Sequence, residues 1–141
     1  MQCLRVTCAA LLLTAFALPA TASDFSFAPT GMFPNYAWNV SVGGGTAIHN
    51  PPLQLLRGRT YTFSTSGVTG SIHSFYINTI STTDALHQYT DGITGLNHTM
   101  DSTFTFVVPQ TAPDTLFYNC GVHSSMSGMI SIDGIFTDGF E

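Results

Sequence analysis

Short stretches in which apolar and polar residues alternate run through most of this chain, and they constrain its fold more than any other feature. Residues 38–42, 60–64 and 103–108 show this alternation clearly. A period of two is typical of β-strands with one buried face, because successive side chains of a strand point to opposite sides. Glycine and proline separate the stretches, and no segment of the mature region shows a convincing helical period of apolar residues.

Four further stretches complete the set of predicted strands: residues 53–56, 71–77, 116–120 and 129–132. Residues 81–101 lack a sustained period and contain Asp91-Gly92, so we expect a long connection there. Many short strands separated by turns predict an all-β protein. We expect an antiparallel Greek-key β-sandwich of about seven or eight strands.

The N-terminal segment, residues 1–22, is predicted to be a secretory signal peptide rather than part of the fold. Arg5 supplies a positive charge, residues 9–18 form an apolar run, and Ala20-Thr21-Ala22 offers a small-residue cleavage site. The apolar run is too short for a membrane-spanning helix, and no later segment is a better candidate. We therefore expect an exported protein, periplasmic or extracellular.

The mature chain is expected to consist of one domain, residues 23–133, and a short tail, residues 134–141, for which the sequence gives no mechanism. A domain of this length can bury a substantial core. Its charge is acidic, because all eight Asp and Glu residues of the chain lie beyond the signal segment and only Arg57 and Arg59 oppose them. This balance argues against a nucleic-acid partner, which needs clustered cations.

Loss of the signal peptide would leave a single thiol. The chain has three cysteines, and both Cys3 and Cys8 lie in the signal segment. Cys120 would then have no intrachain disulfide partner. An unpaired cysteine in an oxidising compartment implies a partner chain, a reactive thiol, a metal, or simple burial as a small apolar residue.

The residues that follow Cys120 favour the metal. His123 and Met126 follow at intervals of three, so a thiolate, an imidazole and a thioether fall in one short segment. A cysteine with two histidines and a weak axial methionine is the ligand set of a blue-copper electron-transfer centre. The second imidazole must come from elsewhere, and His73 lies on a predicted strand whose alternate residues are apolar. Both strands present apolar faces, so the cysteine and this histidine can meet at one end of a sandwich.

Each of these residues also has an explanation without a metal. Cys120 alone would be a buried structural thiol, and a single strand histidine such as His73 is more often hydrogen-bonded in the core or at an edge. Met129 is a second possible thioether, but its position leading into the last strand favours Met126. The remaining histidines are expected to be solvent-exposed loop residues: His49, His87 and His98.

The sequence resembles the cupredoxins, the small blue-copper family that includes plastocyanin, pseudoazurin and amicyanin, and in particular a bacterial exported subgroup. Residues 55–63, 73–77 and 104–132 carry the similarity, and the last block is the most specific. The resemblance implies one type 1 copper ion with four ligands: His73, Cys120, His123 and Met126. The histidines would bind through Nδ1 and the methionine axially. Ser74 departs from the pattern, because many members have Asn or Pro at that position.

The resemblance implies one-electron transfer by cycling between Cu(I) and Cu(II). Two other classes stay open: a copper carrier or buffer without an electron-transfer role, and a metal-free β-sandwich used for adhesion. We do not expect an enzyme, because copper oxidases and reductases need additional histidine-rich sites and the chain has no His-x-His pair. We expect a monomer that meets redox partner proteins transiently, through the apolar end at which His123 and Val122 emerge.

Overall fold

The computed structural model describes residues 23–133, which form two β-sheets enclosing one hydrophobic core. The described part contains ten strands: β1 (Phe25–Thr30), β2 (Ala37–Val42), β3 (Ile48–His49), β4 (Leu53–Leu56), β5 (Thr60–Thr65), β6 (Phe75–Asn78), β7 (Ile93–Thr94), β8 (Thr103–Val107), β9 (Thr115–Cys120) and β10 (Ser127–Asp133). It contains no helix, so none of its segments forms a helix that could cross a membrane. The predicted signal peptide, residues 1–22, and tail, residues 134–141, lie outside the described residues.

The two sheets confirm the predicted all-β sandwich. The first sheet has the order β3-β2-β1-β5-β8-β7, and the second has the order β4-β10-β9-β6. Most neighbours are antiparallel, but β1 pairs in parallel with β5, and β10 pairs in parallel with β4. The sandwich is therefore mixed rather than wholly antiparallel. Parallel partner strands are far apart in the chain, so the sequence contains no hairpin turn from which their pairing could be predicted.

Three strands are absent from the sequence-based prediction: β1, β3 and β7. The short β3 and β7 have two residues each, too few for a period to show. In β1, Phe25 and Phe27 are buried and alternate with less buried residues, but the strand also contains Pro29. Residues 81–101 form the predicted long connection, interrupted only by β7 among the strands described.

The core lies between the sheets and is built from alternate residues of the facing strands. Leu116, Tyr118 and Cys120 of β9 are all completely buried, which confirms the shared face that strand parity predicts. In the opposite sheet, the rings of Phe63 and Phe104 stack with centroids 4.9 Å apart. Close packing of this kind leaves little freedom to the backbone. Cys120, the last residue of β9, is therefore held at a fixed place at one end of the sandwich.

Candidate metal centre

The four predicted ligand residues come from two neighbouring segments of the second sheet. His73 lies just before β6, and Cys120 ends β9. Phe75 pairs with Cys120 across these strands, so the beginning of β6 lies beside the end of β9. His123 and Met126 follow in residues 121–126, the connection to β10, which we call the ligand loop. The sheet register thus delivers all four residues to the same end of the molecule.

Three of the four side chains converge. The Sγ of Cys120 and one ring nitrogen from each of His73 and His123 lie within 4.8 Å of one another. The sulfur is 3.7 Å from Nδ1 of His123, and the centroids of the two imidazoles are 4.9 Å apart. The cysteine is completely buried and the histidines are partly buried. A soft sulfur with two imidazole nitrogens at this spacing is a donor set that fits one copper ion.

The Nδ1 atom of His73 supports this interpretation, because it is buried and has no hydrogen-bond partner among residues 23–133. Leaving a buried polar atom unpaired costs about 1–3 kcal/mol, so such atoms call for an explanation. Burial, and secondly the neighbouring His123, lower the pKa of His73. The neutral ring is thereby favoured, and it is the neutral imidazole that binds metals. An unpartnered neutral nitrogen beside a thiol matches a metal ligand.

The sulfur of Cys120 receives its support from the ligand loop. The backbone N–H of Val122 donates to Sγ at 3.4 Å and so ties the sulfur to the loop. Within the described part of the chain, the hydroxyl of Ser74 makes no hydrogen bond to this sulfur. The main-chain carbonyl of Ser74 instead accepts from the N–H of Gly121 at 3.1 Å. Ser74 therefore supports the loop through its backbone.

The ligand loop is closed by its own backbone. The N–H of Cys120 donates to the Met126 carbonyl at 2.9 Å, and the N–H of Met126 donates to the His123 carbonyl at 3.1 Å. Met126 is completely buried in the same core cluster as Cys120, whereas Met129 is 43% exposed. Burial beside the cysteine makes Met126 the better candidate for an axial thioether.

An aromatic residue that the sequence analysis missed lies against both histidines. The ring centroid of Tyr36 is 4.3 Å from that of His123 and 5.4 Å from that of His73. Trp38, which is completely buried, lies 6.5 Å from His73 on the same side of the fold. Tyr36 lies in the connection between β1 and β2, and Trp38 lies in β2, so both are far from the ligands in sequence. No local pattern could have indicated this contact.

The other histidines lie outside the cluster. Two of them are exposed, as predicted, but only His87 lies in a loop, because His49 belongs to the short strand β3. The prediction is wrong for His98, whose ring is partly buried and stacks on Tyr76 with centroids 4.6 Å apart. Its Nδ1 lies 2.8 Å from the Phe75 carbonyl, and its Nε2 lies 2.7 Å from the side-chain nitrogen of Gln88. His98 is a structural histidine that attaches the long connection to β6.

In comparisons with known proteins, the chain matches solved structures but no family model, and no curated protein matches it significantly. The chain is similar to a structure of rusticyanin described as a copper protein, with 23% identity, a TM-score of 0.44, and coverage of 77% of this chain and 76% of that one. For a structure of rusticyanin variants the values are 25%, 0.45, 77% and 75%. For rusticyanin from Thiobacillus ferrooxidans they are 23%, 0.39, 77% and 76%.

The molecule's own geometry has the two features that the sequence resemblance implies. The strands form a two-sheet β-sandwich, and a cysteine and two histidines meet at one end of it. This architecture confirms the predicted all-β sandwich. The role of the four residues as ligands stays a prediction.

Proposed function

We propose that this protein is a type 1 copper protein of the cupredoxin class and that it transfers single electrons. One observation carries the proposal: the sulfur of Cys120 meets ring nitrogens of His73 and His123 within 4.8 Å, and Nδ1 of His73 is buried without a partner. When bound, copper supplies the one-electron couple between Cu(I) and Cu(II). Sulfur donors suit Cu(I), while imidazoles suit Cu(II).

Each residue of the site has a proposed role. The Cys120 thiolate and the imidazoles of His73 and His123 would hold the ion, and the Met126 thioether would add a weaker ligand. Hydrogen bonds close the ligand loop, and the paired strands β6 and β9 fix its base. A framework that keeps its ligands in place in both oxidation states lowers the reorganisation needed for electron transfer.

Burial favours electron transfer over copper delivery. A carrier must hand its ion to the ligands of a partner, which requires accessible donor atoms. Here Cys120 and Met126 are completely buried, and His123 reaches a surface pocket. A metal-free adhesion module, in turn, gives no reason for an unpartnered imidazole nitrogen next to a thiol.

The partner-facing surface of the proposal is the uncharged pocket at His123. This shallow pocket has a volume of about 290 Å³ and is lined by Phe33, Pro34, Val122, His123, Ser124 and Ser125. Phe33 is 83% exposed and Val122 is 46% exposed. None of the lining residues is charged, so salt has little to screen. Binding of a redox partner is therefore weak, transient and only modestly salt-dependent, over a contact of less than about 1,200 Å².

Export and a monomeric state belong to the same proposal. The predicted signal peptide, residues 1–22, supports a periplasmic or extracellular location, because its charge, apolar run and cleavage site follow the secretory pattern. A location outside the cytoplasm also fits a mature chain with one cysteine that a metal would occupy. Determination of the N-terminal residue of the secreted protein would test the cleavage site.

Reconstitution tests the central proposal. The metal-free protein should take up one equivalent of Cu(II) and turn blue or green through charge transfer from the thiolate, and a redox titration should show a one-electron couple. A colourless, copper-free product obtained without denaturation would refute the proposal. A coloured protein that exchanges no electrons, yet quickly gives its copper to a chelator, would favour the carrier instead.

A further inference from the structure

The ring of Tyr36 lies across both histidines of the candidate metal centre. Its centroid is 4.3 Å from that of His123 and 5.4 Å from that of His73, and the two imidazoles are 4.9 Å apart. The three rings therefore form a compact triangle. Aromatic rings attract one another at separations of about 4.5–7 Å. Any rotation of either imidazole must displace the tyrosine ring or lose contact with it.

The main chain around Tyr36 is also attached to the ligand loop. The hydroxyl of Ser125 donates to the Tyr36 carbonyl at 2.7 Å, and the side-chain amide of Asn50 donates to the Ser125 carbonyl at 2.9 Å. The Asn50 side chain in turn accepts from the N–H of Trp38 at 2.8 Å. Two separate hydrogen-bonded links thus join the start of β2 to the loop that carries His123.

A tight turn delivers Tyr36 to this place. Gly31 has a φ of 88°, a conformation that glycine adopts readily, and a Cβ there would lie 2.2 Å from the carbonyl oxygen of Asn35. The N–H of Asn35 donates to the Met32 carbonyl at 2.7 Å and closes the turn. The connection before Tyr36 is therefore defined by its own backbone rather than by contact with the histidines.

We infer that Tyr36 is a positioning residue for the proposed copper site, holding the two imidazoles in one relative orientation and shielding them from small solutes. The inference rests on the proposed function, because the orientation of the rings matters to a metal only if they bind one. The contacts are made by the ring and by the main-chain carbonyl. Phenylalanine should therefore replace Tyr36 without loss, whereas leucine should not.

Copper-loaded protein provides the first test, with Tyr36→Phe and Tyr36→Leu compared. Loss of the ring contacts in Tyr36→Leu should raise the rate of copper release to a chelator, and the affinity for azide, by about fivefold. The Tyr36→Phe protein should match the original. A matched control is Tyr61→Leu, because Tyr61 lies at the opposite end of the sandwich, where its hydroxyl oxygen accepts from the Leu56 N–H at 3.0 Å. Equal behaviour of the two Tyr36 variants would overturn the inference.

Metal-free protein provides a second test that does not depend on copper. Acylation of each histidine by diethyl pyrocarbonate can be followed by mass spectrometry, with the exposed His87 as internal reference. The rate at His73 and His123 should rise by about fivefold in Tyr36→Leu and stay unchanged in Tyr36→Phe. A wild-type chain that fails to take up copper would refute the proposed function. A coloured wild type with unchanged histidine reactivity in Tyr36→Leu would overturn only the role of Tyr36.

Discussion

Two histidines beside strand β6 lie in similar surroundings but differ in one decisive respect. His73 packs against Tyr36 at 5.4 Å, and His98 packs against Tyr76 at 4.6 Å. Both ring nitrogens of His98 have partners, one of them the carbonyl of Phe75, whereas Nδ1 of His73 has none in the described chain. Burial and aromatic packing therefore do not separate a structural histidine from a candidate ligand. The hydrogen bonds of the ring nitrogens distinguish the two histidines.

The largest effect is expected when the sulfur is removed, because only one of the two histidine environments contains a thiol. Cys120→Ser should abolish the coloured site entirely, since a hydroxyl cannot replace the strong thiolate interaction. Visible absorption after addition of Cu(II) measures this, and circular dichroism checks that the sandwich is intact. A Cys120→Ser protein that still turned blue would remove the distinction between the two environments.

Replacing each histidine in turn gives the sharpest contrast. His73→Ala should lower copper affinity by more than about tenfold, which is the cost of losing even a supporting residue of a metal site, and should let added imidazole change the spectrum. His98→Ala should keep the spectrum but lose about 1–3 kcal/mol of unfolding free energy, because the Phe75 carbonyl loses a partner.

Copper titration and urea denaturation of both histidine variants measure these two effects. The comparison fails if His98→Ala alters the copper spectrum while His73→Ala leaves it unchanged. In that case the second equatorial imidazole would have to be reassigned, with His98 as the first candidate.

A smaller effect is expected at the two methionines that follow Cys120, Met126 and Met129. Met126→Leu should keep the colour but raise the redox potential by about 60 mV, equivalent to a tenfold change in the relative binding of the two oxidation states, because a weak donor is lost. Met129→Leu should change little, since this side chain is 43% exposed. Redox titration of both variants checks the assignment, and the opposite ranking would exchange their roles.

The smallest change concerns the surface rather than the site. Val122→Asp should lower the rate of electron self-exchange by about tenfold, because two like charges would face each other in the encounter, while the spectrum stays unchanged. Leu86→Asp is the matched control: Leu86 is 90% exposed and lies in the long connection that His98 attaches to β6. If both variants exchanged electrons at the original rate, transfer would not pass through the pocket at His123.

The positions of most strands could be predicted from the sequence, but the pairing between strands could not. Strands such as β5 and β8 show a clear alternation, which reports which face of a strand is buried. It carries no information on the partner strand, so the parallel pairs of β1 with β5 and of β4 with β10 could not be foreseen. β1 was missed although Phe25 and Phe27 alternate, because Pro29 weakens its strand pattern.

The candidate site was predictable where its residues are close in sequence or lie on a patterned strand. The spacing of Cys120, His123 and Met126 indicated one segment, and strand parity indicated that His73 could join it. The contact with Tyr36 and the hydrogen bond from Asn50 to the ligand loop depend on how the first sheet packs against that loop. Such contacts between distant segments leave no periodic signal in either of them.

The strand order of the second sheet has a consequence for how the chain folds. In that sheet β10 lies between β4 and β9, so two strands separated in sequence by residues 57–114 are joined through the last strand described. When distant residues pair, the entropy cost of closing the long loop between them must be met before the contacts stabilise the chain, and this slows folding. Until β10 has docked, one side of β9 is unpaired, and the register that brings the Met126 carbonyl to the N–H of Cys120 is not yet set. Docking of β10 therefore completes the ligand loop, and the site is expected to form late in folding.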